Sequence, residues 1–469
     1  MTNKPVEITL CIASIVGPRK EISGGEPWGR EVRETAPQDP LDARGISILR
    51  SMTVDTVRMD DYTPALRGAV ATIPREGRAE SNPMETLEYL VAGLVLGVWL
   101  AVGWVALQGA RRLTRLTPMA SGGPRPSLSV IVPARNEAAA LPRSLPSLLG
   151  QTYPDLAVIA LDDRSTDATG AILESLKRQH PKLVVIHIAS LPDGWLGKTH
   201  ALFIGSQAAG GDWLLFTDAD VVFHPRCLEV AMVYAETNGV DHLVVLPRTE
   251  TMGFWEPILV GCFGLLFGLV FRPWQASDPR SGAFIGVGAF NLIRRSAYEC
   301  IGTHRALATA MVDDLELGRL VKTNGLRQAA VLGDDLLRVR WQIGLSGIVH
   351  GLEKNAFASL GYSVVRATAA CLGLAACGIL PFLAAPLGEA RILWGASAVA
   401  AILAQACFAR EARLPLWSAL FYPVGIAVLC FSIIRSMLLA LCRGQVEWRG
   451  TSYPLSLLRR PRRDPGARP

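Results

Sequence analysis

The sequence predicts an α/β domain built on a doubly wound, mostly parallel sheet and set between membrane-spanning helices. Three observations predict it. Between residues 125 and 345, short β-rich runs alternate with helical patterns, which implies parallel pairing with crossover helices. Outside that region lie four uncharged stretches, Tyr89–Leu107, Ala367–Leu387, Ile392–Ala409 and Leu414–Ile434. Each is long enough to cross ~30 Å of hydrocarbon as a helix. Acidic clusters fall just after the predicted strands, where open α/β sheets bind ligands.

Bulk composition agrees. The chain has 469 residues, half of them hydrophobic, and a net charge of +6. That excess is modest, lies largely beside the apolar stretches and does not point to nucleic acid. Nine cysteines are scattered without a C-x-x-C. This fits a reducing compartment and argues against a zinc site or a disulfide framework. Residues 1–83 are rich in Pro, Gly and Arg and show no sustained period. Ile8–Val16 is too short for a signal peptide. The segment reads either as disordered or as an over-called start, with translation beginning at Met84.

The elements follow in order. The first membrane helix occupies 84–110, and Arg111, Arg112 and Arg115 follow it. Positive flanks stay in the cytoplasm, so the region 125–345 is expected there. Ser127–Pro133 is a strand, followed by a helical pattern through Leu141, Leu145, Leu148 and Leu149. Ala157–Leu161 is a second strand, ending in Asp162-Asp163-Arg164-Ser165-Thr166-Asp167, with a helix from Ala168 to about Arg178. Lys182–Ile188 is a third strand, Thr199–Ala209 a helix and Trp213–Phe216 a fourth strand. That strand ends in Asp218-Ala219-Asp220. Side chains at i and i+2 of an extended segment point the same way, so both carboxylates can face one divalent cation. A capped turn is the plainer reading of the same residues.

Further on, Pro257–Phe271 is apolar and too short to span comfortably. It is either an interfacial segment, past which a lipid would enter, or a buried core helix. Gly282–Gly288 is either a tight connection or part of a binding site. Asp313-Asp314 opens an amphipathic helix, where acids suit the dipole. Residues 346–366 read as interfacial, 367–441 as about three membrane helices and 442–469 as a basic tail containing Arg443, Arg449, Arg459, Arg460, Arg462 and Arg463. Three spans after one would put that tail opposite the domain, whereas its arginines argue for the same side. One segment is therefore re-entrant. Leu414–Ile434, broken by Pro423 and Gly425, and Ala367–Leu387, broken by Pro381, are both candidates.

Ser129–Glu137, the Asp162–Asp167 loop, Asp218-Ala219-Asp220, Asp313-Asp314 and Arg340-Trp341 together resemble the motifs of family 2 glycosyltransferases, in order and spacing. Leu191–Lys198 and Val446–Gly450 resemble a membrane-bound subset acting on lipids, nearest to hopene-associated glycosyltransferases. The resemblance implies a GT-A-like nucleotide-binding domain between transmembrane helices, in a multi-pass protein of a bacterial-type inner membrane. It implies inverting transfer from a nucleotide-sugar donor, with UDP expected, to a lipid hydroxyl on a hopanoid, sphingolipid-like or isoprenoid acceptor.

The implied roles are specific. Asp220 and Asp218 hold Mg2+ or Mn2+. Pro133, Ala134, Glu137, Asp162 and Asp163 line the nucleotide, and Asp167 either joins them or caps its helix. Lys198, at a helix start, meets an anion or is merely solvated. Trp195 stacks on the ligand or is buried, and Arg135 touches phosphate or lies at the surface. Asp314 is the base, with Asp313 beside it, and Gly282–Gly288 lies near the acceptor. Arg340 pairs with the diphosphate while Trp341 packs the loop. Leu337 stands where the polymer-synthase motif Q-x-x-R-W has Gln, which disfavours a processive polysaccharide synthase. A membrane-anchored nucleotide-sugar binder without turnover is the other alternative, and a catalytic base argues against it.

Overall fold

The computed structural model describes residues 82–117, 123 and 125–459. Expectations for residues 1–81, including Ile8–Val16, and for Arg460, Arg462 and Arg463 lie outside those residues. A long apolar helix, α1 (Pro83–Arg112), leads into β1 (Thr114–Arg115). The α/β run follows: β2 (Leu128–Ala134), α2 (Leu141–Leu149), β3 (Leu156–Asp163), α3 (Thr169–Gln179), β4 (Leu183–Ile188), α4 (Gly197–Ala208) and β5 (Trp213–Phe216). Next come β6 (Val222–Phe223), α5 (Cys227–Thr237), β7 (His242–Leu246), β8 (Arg248–Thr249) and α6 (Trp255–Phe271). The domain closes with β9 (Asn291–Arg294), α7 (Arg295–Cys300), α8 (Asp313–Thr323), β10 (Gln328–Leu332) and β11 (Leu337–Val339). After it stand α9 (Gly344–Ser359), α10 (Val364–Gly378), α11 (Leu380–Ala384), α12 (Arg391–Glu411), α13 (Tyr422–Arg443), β12 (Gln445–Trp448), β13 (Thr451–Pro454) and α14 (Leu455–Leu458).

Eight strands form one sheet in the order β1-β10-β7-β9-β5-β2-β3-β4. All pairs are parallel except those of β9, which runs antiparallel to β5 and β7. Alternation sends Val130, Val132, Val158 and Ala160 into one core and Ile131, Ile159 and Leu161 into another. Both faces are covered, which is why β2 and β3 are apolar almost throughout. β3 runs two residues beyond the predicted Leu161, so Asp162 and Asp163 are its last residues and point to opposite faces. α4 begins two residues before the predicted Thr199, which places Lys198 in its first turn.

The apolar helices sort by what their flanks touch. Glu88, near the start of α1, accepts from the Ala390 N–H and the Trp394 indole at the start of α12. Arg115, past the end of α1, pairs with Glu411 at the end of α12 at 2.6 Å. These two helices therefore run side by side in the same direction, toward the sheet. α9 turns through 118° into α10, and α10–α11 runs the opposite way to reach Glu88.

Two other helices leave the domain and return to it. α6 is apolar and 17 residues long, yet β8 precedes it and β9 follows it. It packs among α1, α12 and α13 in one apolar cluster. Arg413, before α13, pairs with Asp334 and Asp335 of the domain at 3.6 and 3.0 Å. Tyr422, where α13 starts, meets Trp99 partway along α1 with ring centroids 5.3 Å apart. The end of α13 leads into the β12–β13 hairpin, which again touches the domain. Leu414–Ile434 is thus a segment with domain contacts both before and after it.

Candidate active site

The strand order reverses at β2, which has β3 on one side and β5 on the other. Loops leaving the carboxyl ends of these strands meet over a crevice there. Asn136 adopts a left-handed backbone, φ 54°, and its Oδ1 accepts from the Thr166 N–H at 2.8 Å. The Glu137 N–H donates to Thr169 Oγ1 at 2.8 Å. These bonds join the loop after β2 to the loop after β3. Asp167 accepts from the Thr169 and Ala138 N–H groups at 3.0 and 3.2 Å, so its carboxylate caps the helix start.

Pro133 and Ala134 lie in β2 opposite Leu161 and Asp162. Asp162 accepts from the Ser165 N–H and pairs with His187 Nδ1 at 3.0 Å. That bond, helped by Glu174, raises the His187 pKa. Asp163 is gripped by Arg164 at 2.7 and 3.0 Å, and Arg135 stands 3.9 Å away. Arg135 Nε is buried without a hydrogen-bond partner. Trp195 packs edge-on to His200 and against Phe203.

The turn after β5 is pinned from two sides. Thr217 Oγ1 donates to the Ala289 carbonyl at 2.7 Å and the Asp218 N–H to the Gly288 carbonyl at 3.0 Å. Lys198 Nζ lies 2.8 Å from Asp218 Oδ1 and 3.8 Å from Asp313 Oδ2. Burial opposes its charge, but Asp218, Asp313 and Asp314 outweigh burial and raise its pKa. Burial likewise favours a neutral Asp218, and Lys198 reverses this, so the Asp218 pKa falls. Among the described residues no cation is bonded to Asp220, and Arg449 acts on it only through its charge. Burial, then the charges of Asp218 and Glu137, push it up to about 7.

Asp313 and Asp314 are the first two residues of α8. Asp314 Oδ2 accepts from the Gly288 N–H and its Oδ1 from the Leu315 N–H, both at 2.8 Å. A carboxylate has about four lone-pair sites, so two backbone bonds orient Asp314 and leave acceptor capacity. Burial pushes Asp313 up to about 6 despite Lys198. The loop through Gly288 therefore touches both acidic motifs. A Cβ at Gly288 would stand 3.1 Å from Asp218 Cγ and 3.2 Å from Lys198 Nζ, so a side chain there would displace the cluster.

Arg340 is engaged elsewhere than expected, whereas Trp341 packs. The Arg340 guanidinium is bound side-on by Glu256 at 2.7 and 3.2 Å. Glu256 opens α6 and is 2% exposed; a carboxylate that buried needs a cation, and Arg340 supplies it. Trp341 stacks on Phe263 of the same helix with centroids 4.5 Å apart. The pair fastens the domain to α6 and is not engaged with the acidic crevice.

Residues that sequence reasoning passed over also reach the crevice. Lys354 of α9 feels the charges of Asp313 and Asp218, and burial followed by Lys198 lowers it to about 8. Its Nζ sits 3.8 Å over the Trp448 ring. Arg449 binds Glu137 at 2.5 Å and donates to the Arg135 carbonyl. Tyr453 Oη accepts from the Gly197 N–H at 3.1 Å. The signals were the one Lys of the 346–366 stretch, beside Glu353, and the Trp-Arg-Gly-x-x-Tyr of the tail.

Among the described residues, no group of three or more His, Cys, Asp or Glu side chains is placed to hold a metal ion. The two carboxylates after β5 are the hard oxygen donors that a divalent cation would take, with a diphosphate able to supply further oxygens. Such a cation would relieve the crowding of negative charge on Asp220. A hollow of about 680 Å³ lies among Arg125, Asp212, Glu236 and Arg294. It sits at the amino ends of the parallel strands, and its arginines are already paired, Arg125 with Glu229 and Arg294 with Glu236.

Residues 129–302 match the family described as Glycosyl transferase family 2. A 4,4'-diaponeurosporenoate glycosyltransferase of Staphylococcus haemolyticus (strain JCSC1435) is 24% identical over 275 residues, 58% of this chain and 71% of that protein. The protein of that name from Staphylococcus aureus (strain MRSA252) is 27% identical over 240 residues, 49% of this chain and 60% of that one. A solved mannosyltransferase from Pyrobaculum calidifontis, in complex with GDP-Man and Mn2+, has a TM-score of 0.46 at 19% identity, covering 74% of this chain and 98% of that one.

Proposed function

The chain carries a family 2 glycosyltransferase domain of GT-A-like α/β fold and is a glycosyltransferase; from that premise we propose that it transfers a sugar from a nucleotide-sugar donor, with UDP the expected nucleotide, to a hydroxyl of a membrane lipid, inverting the anomeric centre. One observation carries the reading. Lys198 bridges Asp218 and Asp313 while Gly288 binds Asp314, so the donor-side and acceptor-side acids share one crevice.

Asp314 accepts the proton of the acceptor hydroxyl as that oxygen bonds to the anomeric carbon. The bond from that carbon to the phosphate oxygen breaks, and its electron pair leaves with the diphosphate. Lys198 lies where that growing charge is met. Mg2+ or Mn2+ held by Asp220 and Asp218 would add Lewis-acid stabilisation of the leaving group. No side chain in the crevice is placed as a covalent nucleophile in this scheme, and a single displacement inverts configuration.

The lipid acceptor is supported by the relatives' names and by α6, an apolar helix that joins the domain to the membrane helices. A hopanoid, sphingolipid-like or isoprenoid lipid fits this position. The flank contacts support three crossings, α1, α10–α11 and α12, with α6 and the 414–443 segment dipping in and returning. The arginines after α1 support a cytoplasmic domain in an inner membrane, and the hairpin keeps the tail on that side.

Membranes incubated with a panel of labelled sugar nucleotides test the reading. Label should appear in an extractable lipid whose new glycosidic bond has the anomeric configuration opposite to the donor's. Label confined to polymer, or retained configuration, would overturn it.

A further inference from the structure

A segment that follows the last long apolar helix, α13, reaches back to the crevice. The β12–β13 hairpin turns on Arg449 and Gly450, with φ 47° and 73°. Such a left-handed pair makes a tight two-residue turn that suits strand twist. The turn projects Arg449 into the loop after β2, where it binds Glu137 and the Arg135 carbonyl. Tyr453 holds the first N–H of α4, next to Lys198. Trp448 carries the Lys354 ammonium on its ring. Val446 and Tyr453 are buried with Leu196 and Met311 of the domain. The hairpin is thus a built wall of the crevice and not a loose tail.

Its charges matter as much as its packing. The Arg340 guanidinium is taken by the buried Glu256, so it does not supply a cation to the crevice. Arg449 is 38% exposed along its side chain and faces the loop that carries Glu137. Guanidinium presents a planar fork that matches phosphate oxygens, and it stays charged at any working pH.

Resting on the glycosyltransferase reading above, we propose that Arg449 and Lys354 bind the diphosphate of the nucleotide-sugar donor, so that the donor site is completed by the post-membrane hairpin and α9. Glu137 holds Arg449 in place until the diphosphate arrives.

Binding of labelled UDP, GDP, UMP and GMP to the full chain in detergent tests this. Arg449→Ala should weaken nucleoside diphosphate binding at least tenfold and monophosphate binding less than threefold. Arg449→Lys should recover part of that loss, and Lys354→Gln should reproduce its pattern more weakly. Thermal unfolding without ligand reads the separate cost of losing the Glu137 and Trp448 contacts, and the mono- and diphosphate affinities are compared below each variant's own midpoint. Equal losses for mono- and diphosphates, or no loss, would overturn the proposal while leaving the glycosyltransferase reading intact. A wild-type protein that binds no nucleotide would overturn both.

Discussion

The Arg340–Glu256 pair and the crevice beyond β5 are both half-buried charge clusters where the sheet domain meets the apolar helices, and they are built by opposite rules. In the first, one guanidinium meets one carboxylate through two hydrogen bonds, and the Met252 and Gly344 N–H groups each add one at 2.8 Å. In the second, Glu137, Asp218, Asp220, Asp313 and Asp314 face Lys198, Lys354 and Arg449. Acids outnumber bases there, and Asp220 shows the strain in its raised pKa. A balanced cluster needs nothing further and acts as a strut. An unbalanced one is open to a ligand that brings its own charge, and under the proposed function that ligand is a diphosphate with its cation.

The comparison can be broken at its strongest point first. Asp314→Asn should keep donor binding and lose turnover by ~10²–10⁴-fold, the usual worth of general-base assistance. Single-turnover kinetics with saturating donor would read it. Near-normal turnover would remove Asp314 from the reaction and leave Asp313, at about 6, as the competing base.

Arg340→Ala should act on stability instead. It strands a carboxylate that is 2% exposed, which costs about 3–5 kcal/mol. The double variant with Glu256→Gln should recover much of that. Donor affinity should stay unchanged in whatever fraction remains folded. Weakened donor binding with an unchanged unfolding midpoint would make Arg340 a ligand-binding residue and erase the contrast.

Asp220→Asn should cost about 2 kcal/mol of donor binding, roughly thirtyfold, if one charge-assisted contact is lost, and the response of binding to added Mn2+ should shrink with it. Titration calorimetry with and without Mn2+ would measure both. An undiminished metal response would separate the acidic turn from the metal.

His187→Ala should have the smallest effect. Its folded pKa is raised by Asp162 and then Glu174. The protonated pair therefore stabilises the fold below about 6.5, the unfolded value, and the contribution fades as pH rises through the folded value. His187 is 48% exposed along its side chain, so the loss should stay under ~1 kcal/mol at pH 5.5 and vanish at pH 9. A loss that grew with pH would contradict the pairing.

The sheet's nucleotide half was legible because its signals are local. Val130-Ile131-Val132-Pro133 reads as a strand end, and Asp218-Ala219-Asp220 stands just past an apolar run. The strand that ends in Asp162 and Asp163 and the helix that carries Lys198 each differ from expectation by only two residues. What was not legible depends on partners distant in the chain. Nothing near Arg340 in sequence announces Glu256, 84 residues away, and nothing near Glu137 announces Arg449, 312 residues away. The antiparallel β9 was missed for the same reason, since its direction is set by β5 and β7 and not by its own residues. Hydropathy alone equates α6 and α12 as candidate spans. Only the flanks separate them, because α6 both leaves from and returns to strands of one domain.

The hairpin that carries Arg449 is among the last of the described segments to leave the ribosome, and its partner loops are made some three hundred residues earlier. The sheet can form as soon as its strands emerge, since its contacts are internal to the domain. The crevice cannot be walled until α9 to α13 have been made and the hairpin has come back to the sheet. A chain that stops short of the hairpin therefore holds every strand of the sheet and an unfinished crevice. Completion of the site waits on the far end of the chain.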